Sequence, residues 1–436
     1  LGDVDAAEQH YRRARALVPA SARFAFNLAR LLDKTGRKDT ALTEFRASAA
    51  PDLRDIGTLL HMGRLLRSMN AHPDAVACFE PVVAREPNNV LALFELGYAY
   101  DAMHRYEEAI ALYRRAEALK PDGAGVINNL AFALNALARY DEAEHTFRRA
   151  LKINPELPES GFQLGMLMLR RGDYAGGWPL FENRKITTIG KPNYRKLPVT
   201  EWRGEELSGK RFLIVRKQGV GDQIQFIRYA SVLAASGARV DALVAPELAS
   251  LAATVPGVSR VLDTMPDDET ITRDYDFWCD VMSLAGCFPG QPIADAPYMH
   301  AYAQQADAWR ARAQLAEQKQ AWPMHAVDDA LHDFAATAAL IASLDLVITV
   351  DTSVAHLAGA LGKPVWVLLA AQPDWCWGKD RRDSAWYPSA RVFRQTTLGD
   401  WSNVVAELTE ALHHTLNDST AAMPIRLLLG EPAGQA

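Results

Sequence analysis

The stretch VITVDTSVAHLAGALGKPVWVLL, residues 347–369, places polar side chains between two apolar runs. The runs predict two strands joined by a short helix of small residues, so Asp351, Thr352 and Ser353 fall at the turn that opens the helix. Free N–H groups and the dipole at a helix N-terminus favour an anion such as phosphate. His356 follows in the first turn, where an imidazole could donate a hydrogen bond or a proton to a phosphate oxygen. The alternatives are a buried histidine with its own hydrogen-bond partners and an Asp351 that only caps the helix.

A second motif, QGVGDQ at residues 218–223, follows the apolar run RFLIV. Its glycines allow a tight turn, so Asp222 falls at or near the start of the next helix. Aspartate there is a good helix cap, and it is also a candidate general base that could remove a proton from a hydroxyl group. Gln218 and Gln223 are candidates for a polar pocket wall, and for Gln223 the alternative is a position on the helix surface.

The elements that must position these motifs alternate between strand and helix from Arg211 onward. The apolar runs RFLIV, RVDALVA, SRVLD and YDFWCDV predict strands, with turns and helices between them. This order implies a parallel sheet with helices on both faces. Ligands bind such sheets at the carboxyl ends of the strands, and both motifs follow a predicted strand.

The segment after the second strand of the first motif, residues 370–395, is rich in aromatic residues for a loop. Asp374, Trp375 and Trp377 could form the wall of a sugar or base pocket, with Asp374 hydrogen-bonded to hydroxyl groups. The alternative is a loop that packs down its own aromatic side chains.

The N-terminal part of the chain has a repeat of 34 residues. Its clearest column is aromatic: Tyr11, Phe45, Phe79, Tyr113, Phe147 and Phe181. Each period contains two apolar-periodic helices, and proline ends the second one because it cannot continue a helix. The pattern resembles the tetratricopeptide repeat, which implies an α-helical superhelix over residues 1–184.

A polar column keeps the same step on the first helix of each period: Asn27, His61, Glu95, Asn129 and Gln163. We call these five residues the ladder. In tetratricopeptide superhelices the first helix lines the concave groove, so the ladder could hold the backbone of an extended peptide. The alternative is a helix surface hydrated by water. The arrangement resembles O-GlcNAc transferases, whose asparagine ladder holds the acceptor protein, but here Glu95 would favour a peptide with a basic group.

The joint occurrence of GVGD and DTSVAHLAGALGKP, in this order, resembles the lipopolysaccharide heptosyltransferase group of glycosyltransferases. The resemblance implies the GT-B architecture, in which two Rossmann-like halves face each other across a cleft. Behind tetratricopeptide repeats, the domain is similar to bacterial repeat-containing glycosyltransferases, including those proposed to modify flagellin. It therefore implies a nucleotide-sugar donor and a protein acceptor held by the repeats.

The resemblance also implies roles for individual residues. Asp222 matches the proposed base, and Asp351, Thr352, Ser353 and His356 match the turn that binds the donor diphosphate. The implied reaction is a single displacement with inversion, without a cofactor or a metal ion. Heptosyltransferases usually have glycine where Ser353 stands, so the approach to the backbone is more crowded here.

These patterns predict five segments of the chain, in order: repeats at 1–184, a linker at 185–210, an acceptor-side half at 211–320, a donor-side half at 321–415 and a tail at 416–436. The donor-side half departs from the GT-B pattern, because no apolar strand and basic loop precede residue 345. Judged against what a mononucleotide-binding half requires, roughly forty residues are absent near residue 320. Either the sequence omits them, in which case the enzyme interpretation stands, or the gene has lost them. A non-catalytic adaptor with a degenerate transferase module is therefore one alternative. A glycolipid-modifying enzyme is another.

Composition narrows the classes of partner. The net charge of -6 argues against nucleic acid, which requires a basic face. The four cysteines form no Cys-x-x-Cys pair, and no apolar run approaches a membrane span, so we expect a cytoplasmic protein without integral membrane contact. A bacterial source is implied by the resemblance alone.

Overall fold

The computed structural model describes most of the chain, namely residues 4–18, 22–48, 56–216, 219–288, 290, 296–318, 331–418 and 427–429. The chain divides into two compact units. We call Leu1–Ser160 the helical unit and Gly161–Ala436 the α/β unit. Gln218 and the segment near residue 320 lie outside the described residues.

The helical unit consists of paired helices. They are α1 (Val4–Leu17), α2 (Ala22–Lys34), α3 (Lys38–Ser48), α4 (Ile56–Ser68), α5 (His72–Arg85), α6 (Val90–Ala102), α7 (Tyr106–Leu119), α8 (Ala124–Ala136) and α9 (Tyr140–Ile153). α10 (Pro158–Arg170) begins at the end of this unit and continues into the next. The predicted tetratricopeptide superhelix is confirmed.

The aromatic column of the repeat forms the core of the helical unit. Phe79 and Tyr113, on the second helices of their pairs, are fully buried. Gly97 faces the Tyr113 ring so closely that an added Cβ would lie 2.7 Å from Cε1 of that ring. Glycine on the first helix therefore makes room for the aromatic residue on the second.

A left-handed residue ends the first helix of each pair. Gly36, Asn70, His104, Ala138 and Gly172 all have positive φ, between 58° and 88°. These residues are 34 positions apart, so they form another column of the repeat. Glycine adopts this conformation without strain, whereas an alanine such as Ala138 does not.

The α/β unit alternates strands and helices as predicted. It contains α11 (Tyr174–Phe181), α12 (Gly190–Asn193), β1 (Thr200–Glu201), β2 (Arg211–Val215), α13 (Val220–Phe226), α14 (Tyr229–Ala235), β3 (Arg239–Leu243), α15 (Ala249–Ala252), β4 (Val258–Leu262), α16 (Asp268–Asp274), β5 (Phe277–Asp280), α17 (Ala303–Gln318), α18 (Phe334–Ser343), β6 (Leu346–Val350), α19 (Ser353–Ala360), β7 (Val365–Leu369), β8 (Ala390–Arg394), α20 (Ser402–Asp418) and β9 (Leu427–Leu429). No helix in the described ranges of the chain is long and apolar enough to cross a membrane.

Both sheets are parallel throughout. The first has the strand order β1-β5-β2-β3-β4 and the second β8-β7-β6-β9. The predicted parallel arrangement is therefore confirmed, and α13 and α19 each follow the carboxyl end of a strand.

Two segments differ from their predicted description. The segment 185–210 contributes the edge strand β1, which pairs with β5 from Thr200 opposite Phe277. Part of the predicted tail forms β9, which pairs with β6 from Leu427 opposite Leu346. These two short strands pair with the edges of the sheets at β5 and β6, where backbone N–H and C=O groups would otherwise be unpaired.

One hydrophobic core joins the two sheets and α11. Trp178 of α11 packs against Trp375 at a ring separation of 5.4 Å, and Phe226 of α13 stacks on the same ring at 6.4 Å. Because Trp178 belongs to this core, the last helix of the repeat pattern lies in the α/β unit. The compact units accordingly divide at residue 160, whereas the sequence places the end of the repeats at 184.

Candidate functional site

The two sequence motifs meet where α13 and α19 begin. A Cβ added to Gly221 would lie 3.1 Å from Cδ2 of His356 and 3.8 Å from Cα of Ser353. The first turns of the two helices are therefore in direct contact, and Gly221 permits it.

Asp222 lies in the first turn of α13, two residues beyond its first residue. The N-cap is Gly219, and a backbone hydrogen bond from Gly219 reaches the Asp222 carboxylate. Asp222 is thus not the N-cap residue, although it satisfies a backbone group at the helix start as the third residue of a capping box does. Burial raises the pKa of Asp222 to about 7, with further contributions from the carboxylates of Asp374 and Asp280. A carboxylate with this pKa can accept a proton near neutral pH.

Asp351 fastens the loop that follows β7. Its Oδ1 accepts a hydrogen bond from Nε1 of Trp377 at 2.7 Å, and its Oδ2 accepts one from the backbone N–H of Asp374 at 3.3 Å. The N-cap of α19 is Thr352, so Asp351 is not the cap. Burial raises the pKa of Asp351. Its carboxylate is occupied with the loop, which makes it a positioning residue for this edge of the sheet.

The aromatic residues of the loop at 370–395 belong mainly to the core. Trp375 and Trp377 are buried, so the packing alternative is correct for them and the pocket-wall interpretation is not. Asp374 is exposed and accepts a hydrogen bond from the backbone N–H of Cys376 at 3.1 Å. Of the three residues, only Asp374 remains a candidate to contact a ligand.

His356 is held inside the α/β unit. It is 8% exposed, and its Nδ1 lies 2.9 Å from the hydroxyl of Tyr387. Burial lowers the pKa of His356 to about 4, and the charge of Arg228 contributes. The imidazole is therefore neutral at neutral pH. The structure favours the buried and partnered alternative over a proton donor, although a neutral ring can still donate one hydrogen bond.

The N-terminus of α19 has no cap from its own N-cap side chain. Thr352 has extended backbone and makes no side-chain cap hydrogen bond. Its Oγ1 lies 3.4 Å from the hydroxyl of Thr349, and Thr352 and Ser353 are both half-buried. Thr352 and Ser353 thus lie at the N-terminus of an eight-residue helix, which is the position predicted for a phosphate.

Gln223 is a structural residue. It is 2% exposed, and its Oε1 accepts a hydrogen bond from the backbone N–H of Ala245 at 2.8 Å. The side chain of Gln223 therefore lies neither in a pocket wall nor on the helix surface, as the two interpretations from sequence proposed. The side chain instead ties α13 to the segment after β3.

Asp280 and Arg184 were missed by the sequence analysis. Asp280 ends β5 and is 1% exposed. Arg184 donates to Asp280 at 3.2 Å and to the hydroxyl of Ser283 at 2.7 Å. The sequence could have indicated Asp280, because it is a polar residue at the carboxyl end of a predicted strand. Arg184 had no such signal, since it lies at the end of the repeat pattern.

A buried arginine beside His356 was also missed. Arg228 is 1% exposed and donates to the carbonyl of Gln225 at 2.8 Å, to the carbonyl of Trp386 at 2.7 Å and to the hydroxyl of Tyr298 at 2.9 Å. These bonds connect α13 and the start of α14 to segments far along the chain. Arg228 therefore stabilises the contact between the parts that carry the two motifs.

The ladder is less uniform than its spacing suggests. Asn27 and Asn129 are half-buried and His61 is exposed, whereas Glu95 is 3% exposed. Glu95 pairs with Arg64 at 3.1 Å and with Arg67 at 3.0 Å. It is therefore not available to a basic group of a peptide, contrary to the expectation from sequence. Gln163, the last ladder residue, is half-buried and lies in the α/β unit.

Comparisons with known proteins agree with this organisation. Tetratricopeptide repeat models match residues 1–53, 60–124 and 102–160, and the model of glycosyltransferase family 9 (heptosyltransferase) matches residues 305–407. The chain therefore combines tetratricopeptide repeats with a segment, residues 305–407, that is similar to glycosyltransferase family 9.

Among curated proteins, the chain is 24% identical over 334 residues to protein FlbA of Caulobacter vibrioides. The match covers 58% of this chain and 54% of FlbA, so the chain spans about half the length of that relative.

The helical repeats are also similar to solved structures. MamA of Desulfovibrio magneticus RS-1 is 19% identical with a TM-score of 0.33, and the match covers 40% of this chain and 97% of that one. A thermophilic TPR protein of Thermus thermophilus is 22% identical with a TM-score of 0.31, and the match covers 39% of this chain and 92% of that one.

Proposed function

We propose that this chain transfers a sugar from a nucleotide-activated donor to a hydroxyl group of a protein acceptor bound by the repeats. The similarity of residues 305–407 to glycosyltransferase family 9 supports glycosyltransferase activity, and tetratricopeptide repeats are a common protein-binding architecture. Flagellin is a candidate acceptor on the strength of the resemblance alone. The observation that carries the proposal is the placement of Asp222, whose pKa is raised to about 7, one residue after the Gly221 contact with α19.

The proposed chemistry is a single displacement in a GT-B site. The acceptor oxygen forms a bond to the anomeric carbon while the bond from that carbon to the diphosphate oxygen breaks. Asp222 takes the hydroxyl proton, and the nucleoside diphosphate leaves with the bonding electron pair. Because attack and departure occur on opposite faces, the anomeric configuration inverts.

The leaving diphosphate is stabilised by the N-terminus of α19. Helix N–H groups and the hydroxyl groups of Thr352 and Ser353 supply hydrogen bonds, so the proposed reaction needs no metal ion. His356 acts in its neutral form, oriented by Tyr387, and donates at most one hydrogen bond. In this proposal His356 positions the donor and does not transfer a proton.

The test uses the full-length chain with radiolabelled UDP-, GDP- and ADP-sugars and a protein extract of the source cell. We expect one donor to label a protein band. Asp222→Asn should reduce labelling by about 10²-fold or more, because removal of a general base costs that much. Asp263→Asn, an exposed aspartate after β4, is the matched control and should retain labelling. Equal labelling by Asp222→Asn and the control would overturn the proposed base, and label found in lipid would move the acceptor to the glycolipid class.

A second candidate function is a non-catalytic adaptor. The observation that favours it is the direct contact of α13 with α19, which leaves Gly221 against His356. Calorimetry of the full-length chain with UDP, GDP and ADP separates the candidates. Binding that Thr352→Val weakens supports the transferase, whereas absence of binding for all three supports the adaptor.

A further inference from the structure

The first helices of the helical unit carry a group of cations beside the ladder. Arg30 and Arg64 each follow a ladder residue by three positions, and they are 34 residues apart. Residues three positions apart in a helix lie on the same face, so both arginines share the face of the ladder. Lys34 and Arg67 lie about one turn further along α2 and α4. We call these four residues together with His61 the basic inner surface.

The charges of this surface are only partly neutralised. Arg64 and Arg67 share the single carboxylate of Glu95, at 3.1 and 3.0 Å. The Arg67 guanidinium also lies over the Tyr98 ring, 4.5 Å from its centroid.

Within the part of the chain that the structure describes, neither Arg30 nor Lys34 forms an ion pair, and both are exposed. Asp33 of α2 is half-buried. Even when Asp33 is counted with Glu95, four cations face two carboxylates.

His61 lies among these cations, and their charges affect its pKa. Its ring is exposed and is held edge-on to Phe26 at a centroid distance of 5.5 Å. Burial lowers the pKa of His61, and so do the charges of Arg30, Arg64 and Lys34. Cations from two successive inner helices therefore act on one point of the surface.

We infer that the basic inner surface binds an extended acidic segment, rich in Asp and Glu, of the protein acceptor. The inference rests on the proposed function only in taking the bound polypeptide to be the acceptor. Guanidinium and ammonium groups donate charge-assisted hydrogen bonds to carboxylates, and a solenoid offers successive helices to an extended chain. The geometry thus reverses the expectation of a basic peptide drawn from Glu95 alone.

Nucleic acid fits this surface less well. Binding to a phosphate backbone rests on the neutralisation of many phosphates by Lys and Arg, and the surface offers four permanent cations on a chain with net charge -6. An acidic peptide needs fewer charges and can use the neighbouring ladder residue Asn27 for one of its backbone groups.

The test measures fluorescence anisotropy of labelled probes with the full-length chain. The probe is a peptide of about twelve residues that alternates Asp and Ser, and the comparisons are its Lys–Ser counterpart and a single-stranded oligonucleotide. We expect the Asp–Ser peptide to bind best and to weaken with added salt, because exposed charges are screened. The Arg30→Glu, Lys34→Glu double variant should bind it about tenfold more weakly, since it reverses two charges at the surface.

The matched control reverses two exposed cations on helices that carry no ladder residue, Arg13→Glu on α1 and Lys152→Glu on α9. It should bind like the unmodified chain. Equal loss in both double variants, or preference for the Lys–Ser peptide or the oligonucleotide, would overturn the inference. Milder Arg30→Gln and Lys34→Gln variants, checked by circular dichroism, guard against misfolding.

Donor hydrolysis separates this inference from the proposed function. Arg30→Glu, Lys34→Glu should release nucleoside diphosphate from the donor at the normal rate while its peptide binding is lost. Peptide binding by a chain that hydrolyses no donor would leave this inference standing and reject the transferase.

Discussion

Two buried carboxylates, Glu95 of the helical unit and Asp222 of the α/β unit, lie in opposite electrostatic surroundings. In the helical unit Glu95 faces two arginines, so its charge is compensated where it lies. In the α/β unit Asp222 is buried near Asp374 and Asp280, and its pKa rises to about 7. A carboxylate that is paired with cations, such as Glu95, holds helices together. A carboxylate whose pKa is raised by burial and by neighbouring carboxylates, such as Asp222, can exchange a proton near neutral pH.

The two units also assemble their polar residues differently. Each repeat of 34 residues forms one helix pair, so residues 34 positions apart occupy the same face of equivalent helices. The ladder residues therefore share one face. The Gly221 and His356 motifs come together only because parallel strands end at one side of their sheets and α13 packs on α19. The difference teaches that a period determines which face a side chain occupies, while packing determines its partners.

The pH dependence of transfer tests the raised pKa of Asp222 and carries the largest expected effect. The base must be deprotonated, and its pKa is about 7, so the rate should rise with pH and be half-maximal near that value. At pH 5.5 it should fall to about a thirtieth of its maximum. Asp374→Asn removes a neighbouring negative charge, so its profile should move to lower pH. A profile that is flat between pH 5.5 and 8 would contradict the role of Asp222.

Acid unfolding tests the neutral state of His356. Its pKa in the folded chain is about 4, below the ordinary value of 6.5, so the unfolded chain binds more protons between these values. Stability from the neutral ring is complete above pH 6.5 and is lost as pH falls towards 4, by about 2–3 kcal/mol. Urea unfolding at pH 7.5 and 4.5 should show a smaller loss for His356→Gln. Exposed His413→Gln is the control and should lose as much as the unmodified chain.

Two glycines of the helical unit separate close packing from helix propensity. An alanine Cβ at Gly97 would lie 2.7 Å from the Tyr113 ring, so Gly97→Ala should lower the free energy of unfolding by about 1–3 kcal/mol. Gly125 of α8 has nothing within 4 Å of an added Cβ, and Gly125→Ala should raise it by about 0.5–1 kcal/mol. Thermal unfolding followed at 222 nm measures both, and changes of the same sign would refute the packing argument.

The column of left-handed residues gives the smallest effect. Ala138 has φ of 58°, so Ala138→Gly should raise the free energy of unfolding by about 1 kcal/mol. Ala111→Gly, at an exposed position inside α7, should lower it by a similar amount because glycine is a poor helix former. Destabilisation by both substitutions would show that the turn does not favour glycine.

Local patterns in the sequence predicted most elements of both units, but not the edge strands β1 and β9. The 34-residue step predicted the paired helices, because burial of Phe79 and Tyr113 requires the same side of a helix in every repeat. The apolar runs predicted strands β2 to β7. In β2, β6 and β7 most residues are buried, because a strand covered on both faces needs uninterrupted apolar residues. Because β2 and β6 are each followed by a motif, the sequence also placed the GVGD and DTS turns at the carboxyl ends of strands.

What the sequence determined by itself is therefore the order of the elements, the face of each ladder residue and the two motifs. The tertiary structure alone decided the state of the side chains. In the folded chain His356 is buried against Tyr387, and Asp351 accepts a hydrogen bond from Trp377. Glu95 forms ion pairs with Arg64 and Arg67. The physical reason is that a pKa or an ion pair depends on burial and on charges from distant segments, and no short stretch of sequence contains either.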